Sequence, residues 1–313
     1  MFELDQKLER KRKIAIKFFG CSNRKYAPTS YDVRIKRYYK NTRWLLFRMF
    51  GSKEGFMHIG LNRNNFYIKD SGYELAQPAL VNKFIHSTKS KYVLELGCGQ
   101  GTNLAYLAYK NPNVTFWGID LYPPNGITKS KKNIHILAGD YHNLSKVSDC
   151  SMDIVYAIET LCYSQNIEKV LKEVHRVLSP NGIFIIFDAY RKKQNIIYSS
   201  AELRFVKTIE EGFGLIKFQD IDYFNQIIYS SKFSCIKEID LKKYTRGYLN
   251  NLSTRITNYL RLGIFLKIFL RLLPNDVLGG MKAGFLIKDS IKYNITTYRL
   301  HILTKCEEKN EKR

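Results

Sequence analysis

The sequence lacks the features that would place it in several large classes. No two of its six cysteines, Cys21, Cys98, Cys150, Cys162, Cys235 and Cys306, form a Cys-x-x-Cys pair. A zinc or dithiol site is therefore not expected; scattered thiols fit small core residues in a reducing compartment. No run of about 18 apolar residues is present, so no membrane-spanning helix is expected. The amino terminus, Met1 to Lys13, is dense in charge and has no apolar signal-peptide core. These absences point to a cytoplasmic protein. No internal repeat and no metal-ligand cluster is visible. Acidic residues are scarce too: 28 stand against 51 basic ones, a net charge of +23. Such a field would draw nucleic acid or an anionic membrane surface. The alternative is compositional, because the chain is rich in Lys, Asn, Ile and Tyr, as AT-rich codon usage produces.

What is present is concentrated in one stretch, Val93-Leu94-Glu95-Leu96-Gly97-Cys98-Gly99-Gln100-Gly101-Thr102-Asn103. It reads as a buried strand, a glycine-rich turn and a helix start. A backbone turning this tightly against a ligand needs glycine, which reaches positive φ and has no Cβ to obstruct the approach. The spacing is acidic-x-Gly-x-Gly-x-Gly. In the dinucleotide fingerprint the third glycine follows the second by three residues. Here Gly101 follows Gly99 by two, which disfavours a nicotinamide dinucleotide.

With 313 residues the chain can hold a full core. Strands and helices alternate after the motif, which predicts an α/β fold with a mostly parallel sheet covered on both faces. Strands are expected at Val93–Leu96, Val114–Ile119 (ending at Asp120), Ile134–Ala138 (ending at Gly139-Asp140), Met152–Ile158 and Ile183–Phe187 (ending at Asp188). Ile167–Leu178 reads as an amphipathic helix stopped by Pro180-Asn181-Gly182. Two more strands are expected at Phe233–Lys242 and Ile291–Leu303, with a very apolar helix, Ile256–Leu273, between them. Residues 1–30 read as basic and partly mobile, and Ser30–Gly51 as a helix. Three divisions follow: a basic helical extension over 1–70, a main domain over 71–305 with an apolar helical cap at about 245–290, and a disordered tail over 306–313.

The glycine motif, with Trp117-Gly118-Ile119-Asp120-Leu121 and Ala138-Gly139-Asp140-Tyr141, resembles class I S-adenosylmethionine (SAM) dependent methyltransferases. Two further segments, Glu159-Thr160-Leu161-Cys162-Tyr163 and Met57-His58-Ile59-Gly60, are similar to the sterol and tocopherol C-methyltransferases and the phosphoethanolamine N-methyltransferases. The resemblance spans roughly residues 70–190. It implies a Rossmann-like seven-stranded sheet whose last strand is antiparallel, and SAM as cofactor. By that likeness Glu95, Gly97, Cys98, Gly99 and Gly101 form the cofactor loop. Asp120, followed by Leu121, would accept from the ribose hydroxyls; Asp140 and Tyr141 would meet the adenine edge.

The acceptor side is less defined. Glu159, His58 and Tyr163, in that order, are the candidate bases if the acceptor must lose a proton; His58 has a structural alternative near its turn. Tyr38, Tyr39 and Trp44 form either a lid or a buried stripe. Ile256–Leu273, broken by Arg261, Lys267 and Arg271, is either a packed cap or a membrane-surface helix aided by the basic amino terminus. The expected partner is a small, apolar or lipid-like acceptor. The rivals are an RNA methyltransferase, although no Asn-Pro-Pro-Tyr-type motif follows strand four, and a non-catalytic scaffold of the same fold.

Overall fold

A computed structural model describes residues 2–20, 35–42, 56–62, 75–123, 132–192, 198–261, 270 and 272–306. The helices are α1 (Phe2–Phe19), α2 (35–42), α3 (Ala76–Thr88), α4 (Thr102–Lys110), α5 (Ile167–Val177), α6 (Ser200–Gly212), α7 (Ile221–Ser230), α8 (Lys242–Leu260) and α9 (Asn275–Lys292). The strands are β1 (Tyr92–Leu96), β2 (Thr115–Asp120), β3 (Ile134–Ala138), β4 (Met152–Ile158), β5 (Leu178–Arg191), β6 (Phe233–Asp240) and β7 (Thr296–Lys305). The chain divides into two compact units. One comprises Gln77–Asp188, Ile221–Asp240 and Arg299–Arg313; the other comprises Met1–Ala76, Ala189–Asp220 and Leu241–Tyr298.

The first unit is built on the sheet. Strand order is β3-β2-β1-β4-β5-β7-β6. β1 pairs in parallel with β2 and β4, β2 with β3, and β4 with β5; β6 and β7 are antiparallel. β1 and β4 are apolar and buried on both faces, as a covered parallel sheet requires. The order reverses between β1 and β4, and ligands bind doubly wound sheets at the carboxyl ends of strands flanking such a switch. α5 buries Ile167, Val170, Leu171, Val174 and Val177, a helical-period stripe. The seven-stranded Rossmann-like fold implied by the resemblance is the fold observed.

Strand five is longer than the sequence predicts. Met152 pairs with Leu178 and Ile154 with Ile183, so Ser179–Gly182 bulges out of the ladder. Pro180 therefore ends the helix without ending the strand, because a bulge leaves its missing N–H unneeded. Strand seven starts later than predicted. Ile291 and Lys292 still belong to α9, and the chain reverses at Asn294, whose φ is 60°.

The second unit is helical, and α1 is ordered from Phe2 to Phe19 where residues 1–30 were expected to be partly mobile. Leu8, Ala15 and Phe19 are buried along one stripe. Its charges are tied down: Asp5 accepts from Ser199 Oγ at 2.6 Å, Glu9 from Arg204 at 2.6 Å, and Lys11 pairs with Asp289. α9 is enclosed by α1, α6 and α8. At its crossing with α6, a Cβ on Gly212 would lie 2.4 Å from the Gly279 carbonyl oxygen, so the backbones approach as only glycine allows. The apolar helix expected at Ile256–Leu273 is helical to Leu260, with Arg261 as its cap, and Leu272 and Leu273 lie in a turn. The intervening 262–269 and Arg271 lie outside the described residues, as do Trp44 with the rest of 43–55 and the tail 307–313.

Candidate functional site

The glycine loop leaves β1 at the switch point. Gly97, Gly99 and Gly101 have φ of 64°, 52° and 72°, so all three occupy the left-handed region. They serve different needs. A Cβ on Gly97 would strike Thr160 Oγ1 at 1.9 Å, whereas one on Gly99 would meet nothing within 4 Å. Gly97 is a packing glycine against the end of β4; Gly99 faces open space. The amides of Gly97 and Cys98 both donate to the Ile119 carbonyl, at 2.8 and 3.1 Å, which ties the loop to the end of β2. Cys98 is buried. Gly118 in β2 makes room for it, since a Cβ there would come within 2.8 Å of Cys98 Sγ.

Asp120 closes the loop from the other side. Its Oδ2 accepts from the Gly99 amide at 2.9 Å and its Oδ1 from the Tyr122 amide at 2.8 Å. Each carboxylate oxygen retains acceptor capacity, and Asp120 and Leu121 are both half-buried. The Asp120 carbonyl accepts from Gly139 at 3.0 Å, which draws the end of β3 to the same rim.

Glu95 lies beneath the loop and is 2% exposed. Asn103 Nδ2, from the first turn of α4, donates to its Oε1 at 2.7 Å. The Tyr156 phenol of β4 faces it. No cation is among the groups acting on it, and burial pushes its carboxyl up to about 8; the hydrogen bond from Asn103 and the nearby Tyr156 phenol pull the other way, and the Asp120 charge adds to the rise. Burial likewise holds the Tyr156 phenol well above its ordinary range. Glu95 is thus a neutral carboxyl at pH 7.

The ends of β3 and β4 complete the rim. Tyr141 is buried and its hydroxyl donates to the Thr160 carbonyl at 3.1 Å. Asp140 Oδ1 accepts from the His142 amide at 2.9 Å and meets His142 Nδ1 at 2.6 Å. Glu159 is half-buried with φ of 51°, and its amide donates to Phe187 at 2.8 Å. A non-glycine residue in that conformation is held by its surroundings. A single 3₁₀ turn, Leu161–Tyr163, follows, and the Cys162 amide donates to the buried Asp188 carboxylate at 2.9 Å. Burial, then the Asp188 and Glu159 charges, raise the Cys162 thiol well above its usual range. It is not a thiolate nucleophile.

The sheet unit therefore brings together Glu95, the glycine loop, Asp120, Leu121, Asp140, Tyr141, Glu159 and Tyr163. His58 belongs to the helical unit, where it is buried and its ring meets Phe56 edge-on at 5.6 Å. Asn103, Tyr156, Thr160, His142, Ser164 and Asp188 also sit at this rim and were not among the site residues chosen from sequence. Asn103, Thr160 and Asp188 carried a signal, as part of the glycine stretch, of the segment after strand four and as the end of strand five; Tyr156, His142 and Ser164 carried none. Among the described residues no group of three metal-ligating side chains occurs, and no helix is long and apolar enough to cross a membrane.

Residues 94–186 match the family described as Methyltransferase domain. The chain is 30% identical over 109 residues to a sterol 4-C-methyltransferase of Caenorhabditis elegans, covering 32% of each protein. It is 33% identical over 110 residues to a thiol S-methyltransferase of Rattus norvegicus, covering 33% of this chain and 44% of the relative. The chain thus spans less than half the length of these curated relatives. Among solved structures, a geranyl diphosphate C-methyltransferase from Streptomyces coelicolor A3(2), in complex with Mg2+, geranyl diphosphate and S-adenosyl-L-homocysteine, superposes with a TM-score of 0.62. That match has 13% identity and covers 89% of this chain and 98% of the other. The likeness read from the glycine motif thus holds for the domain type and the fold.

Proposed function

We propose that the protein is a SAM-dependent methyltransferase acting on a small, apolar or lipid-like acceptor. The observation that carries this reading is the cradle at the carboxyl end of β1, where three left-handed glycines meet the Asp120 carboxylate and Gly99 faces open space. The residues fit an adenosyl ligand with a cationic end. Asp120 retains acceptor capacity for two ribose hydroxyls, in hydrogen bonds contributing about 1.5–3 kcal/mol each. Asp140 and Tyr141 stand where an adenine edge would lie. Glu95 is a buried carboxyl that an approaching cation would ionise. When bound, SAM supplies a methyl group already activated by its sulfonium.

The protein's own task is then alignment and exclusion of water, which supply most of the rate in such a displacement. The loop fixes the donor end. The segment Glu159–Tyr163, with Thr160 and Leu161 buried and the other three half-buried, would meet the acceptor. Sterol, thiol and geranyl diphosphate methyltransferases among the relatives and structural neighbours favour an apolar acceptor. We further propose a cytoplasmic protein touching membrane surfaces through its basic amino terminus and the region around 256–273. The domain division we propose is an extension over 1–70, a methyltransferase domain over 71–305 with an apolar helical cap at about 245–290, and a tail over 306–313.

The test is to incubate the protein with methyl-labelled SAM and, separately, a sterol, geranyl diphosphate, an alkyl thiol and total RNA. Label in one of the small acceptors is the expected result. Label in RNA alone would overturn the acceptor class.

A further inference from the structure

Helix α1 has two opposed faces. Leu8, Ala15 and Phe19 fix the inner one, where the helix packs on α6 and α9 of its own unit. On the opposite side Phe2, Arg10, Lys13 and Lys17 fall at helical spacings and share one face. Arg10, Lys13 and Lys17 are exposed, and none has a hydrogen-bond or ion-pair partner among the described residues. The acidic residues of the helix are engaged. Asp5 accepts from Ser199, and Glu9 meets Arg12 and Arg204. Glu3, the one acid on the outer side, pairs with Lys7 at 2.6 Å. The outer face therefore carries four cations against one anion. Two large apolar side chains stand among them: Phe2 is 78% exposed and Ile14 37%.

The mixture selects its partner. A second copy meeting the same face would bring cation against cation. A nucleic acid would answer the cations through its phosphates and give Ile14 nothing to contact. An anionic bilayer answers both, because its headgroups attract the lysines and arginine while its interfacial layer takes up apolar side chains. The region around 256–273 offers less of this pattern at its described positions. Ile256 and Leu270 are buried, and only Leu272 there is an exposed large apolar residue.

We propose that the outer face of α1 docks on an anionic bilayer surface, with the helix lying along the membrane plane. The proposal rests on the membrane contact advanced above and narrows it to one face; it is independent of cofactor and acceptor. The apolar stripe of α1 is already buried in the protein, so the helix cannot sink an apolar half into the lipid. Its hold comes from three unpaired cations and from Phe2 and Ile14. Such a contact is reversible and weakens as salt rises. Lys11 and Arg12 contribute little, because Asp289 and Glu9 hold them.

Co-sedimentation of the full chain with phosphatidylcholine vesicles, with and without phosphatidylserine, tests this. The wild type should bind only vesicles containing phosphatidylserine, and added salt should release it. Arg10→Gln, Lys13→Gln and Lys17→Gln together should weaken binding about 100-fold, about fivefold for each cation. Phe2→Ser with Ile14→Ser should weaken it about tenfold and leave the salt dependence in place. Lys83→Gln, Lys169→Gln and Lys172→Gln together remove the same charge from exposed positions of the sheet unit and should leave binding near wild type. Equal losses in the two triple variants would overturn the face in favour of the overall charge. Loss in Leu272→Ser with the α1 triple unaffected would overturn it and leave the membrane contact standing at the 256–273 region. A wild type that binds neither vesicle would overturn both. Tighter retention of tRNA than of vesicles, lost with the same three cations, would assign the face to nucleic acid.

Discussion

At the scale of single residues, the glycine loop separates two kinds of glycine that look alike in sequence. Gly97 is needed because Thr160 occupies the space of its Cβ; Gly99 is needed because its φ is positive and its outer side stands open. The motif was legible because left-handed backbone restricts the residue type, and that restriction survives in the letters. The pairing of His142 with Ser164 was not legible, since it depends on two turns meeting. Asp140 was read as an adenine contact, and the structure adds His142 as its partner. Glu95 gives a pH prediction. Its carboxyl titrates near 8 in the folded protein, above its ordinary value of 4.5. Between those values the folded state holds a proton that the unfolded state has released. Stability from this group is therefore full below about 4.5 and falls as pH rises toward 8, by at most about 1.4 kcal/mol per pH unit. Urea midpoints from pH 5 to 8 should decline more steeply in the wild type than in Glu95→Gln. Parallel curves would contradict the assignment of a neutral buried carboxyl.

At the scale of elements, strands were easier to read than helix ends. β1 and β4 are short, mostly apolar and buried segments broken only by Glu95 and Asp153, and such segments in an alternating chain have few other uses. The packing of α1 was not foreseen, although 1–70 was read as a helical extension, because what orders it lies far away in sequence: Asp5 meets Ser199, Glu9 meets Arg204 and Lys11 meets Asp289. Without those partners Phe2–Phe19 is a charge-dense terminus. The helix start at Asn166 was local and carries its own signal. Its side chain accepts from the Lys169 amide at 2.9 Å, capping α5. Asn166→Ala should cost about 1 kcal/mol, read as a lower denaturation midpoint, while Asn166→Asp should stay near wild type.

At the scale of the whole molecule, sheet order, the switch point and the acidic strand ends agree on one cofactor position. Gly99 reaches Asp120 by a hydrogen bond, Asp120 reaches Gly139, and Gly97 packs on Thr160. Four strand ends are thereby locked into one rim. The net charge of +23 adds a long-range field at this rim, which salt screens beyond about 10 Å at 0.1 M. The fold was legible because each βα step repeats a hydrophobic period; the acceptor was not, because it is set by side chains from turns whose approach no period encodes. The central claim is that the rim binds SAM. Isothermal calorimetry of the wild type against SAM tests it most directly, with Gly99→Arg as the variant that fills the open space beside the loop. One-to-one binding in the wild type, absent in a folded Gly99→Arg protein, is the predicted result. No binding in the wild type, or equal binding in both proteins, would contradict it.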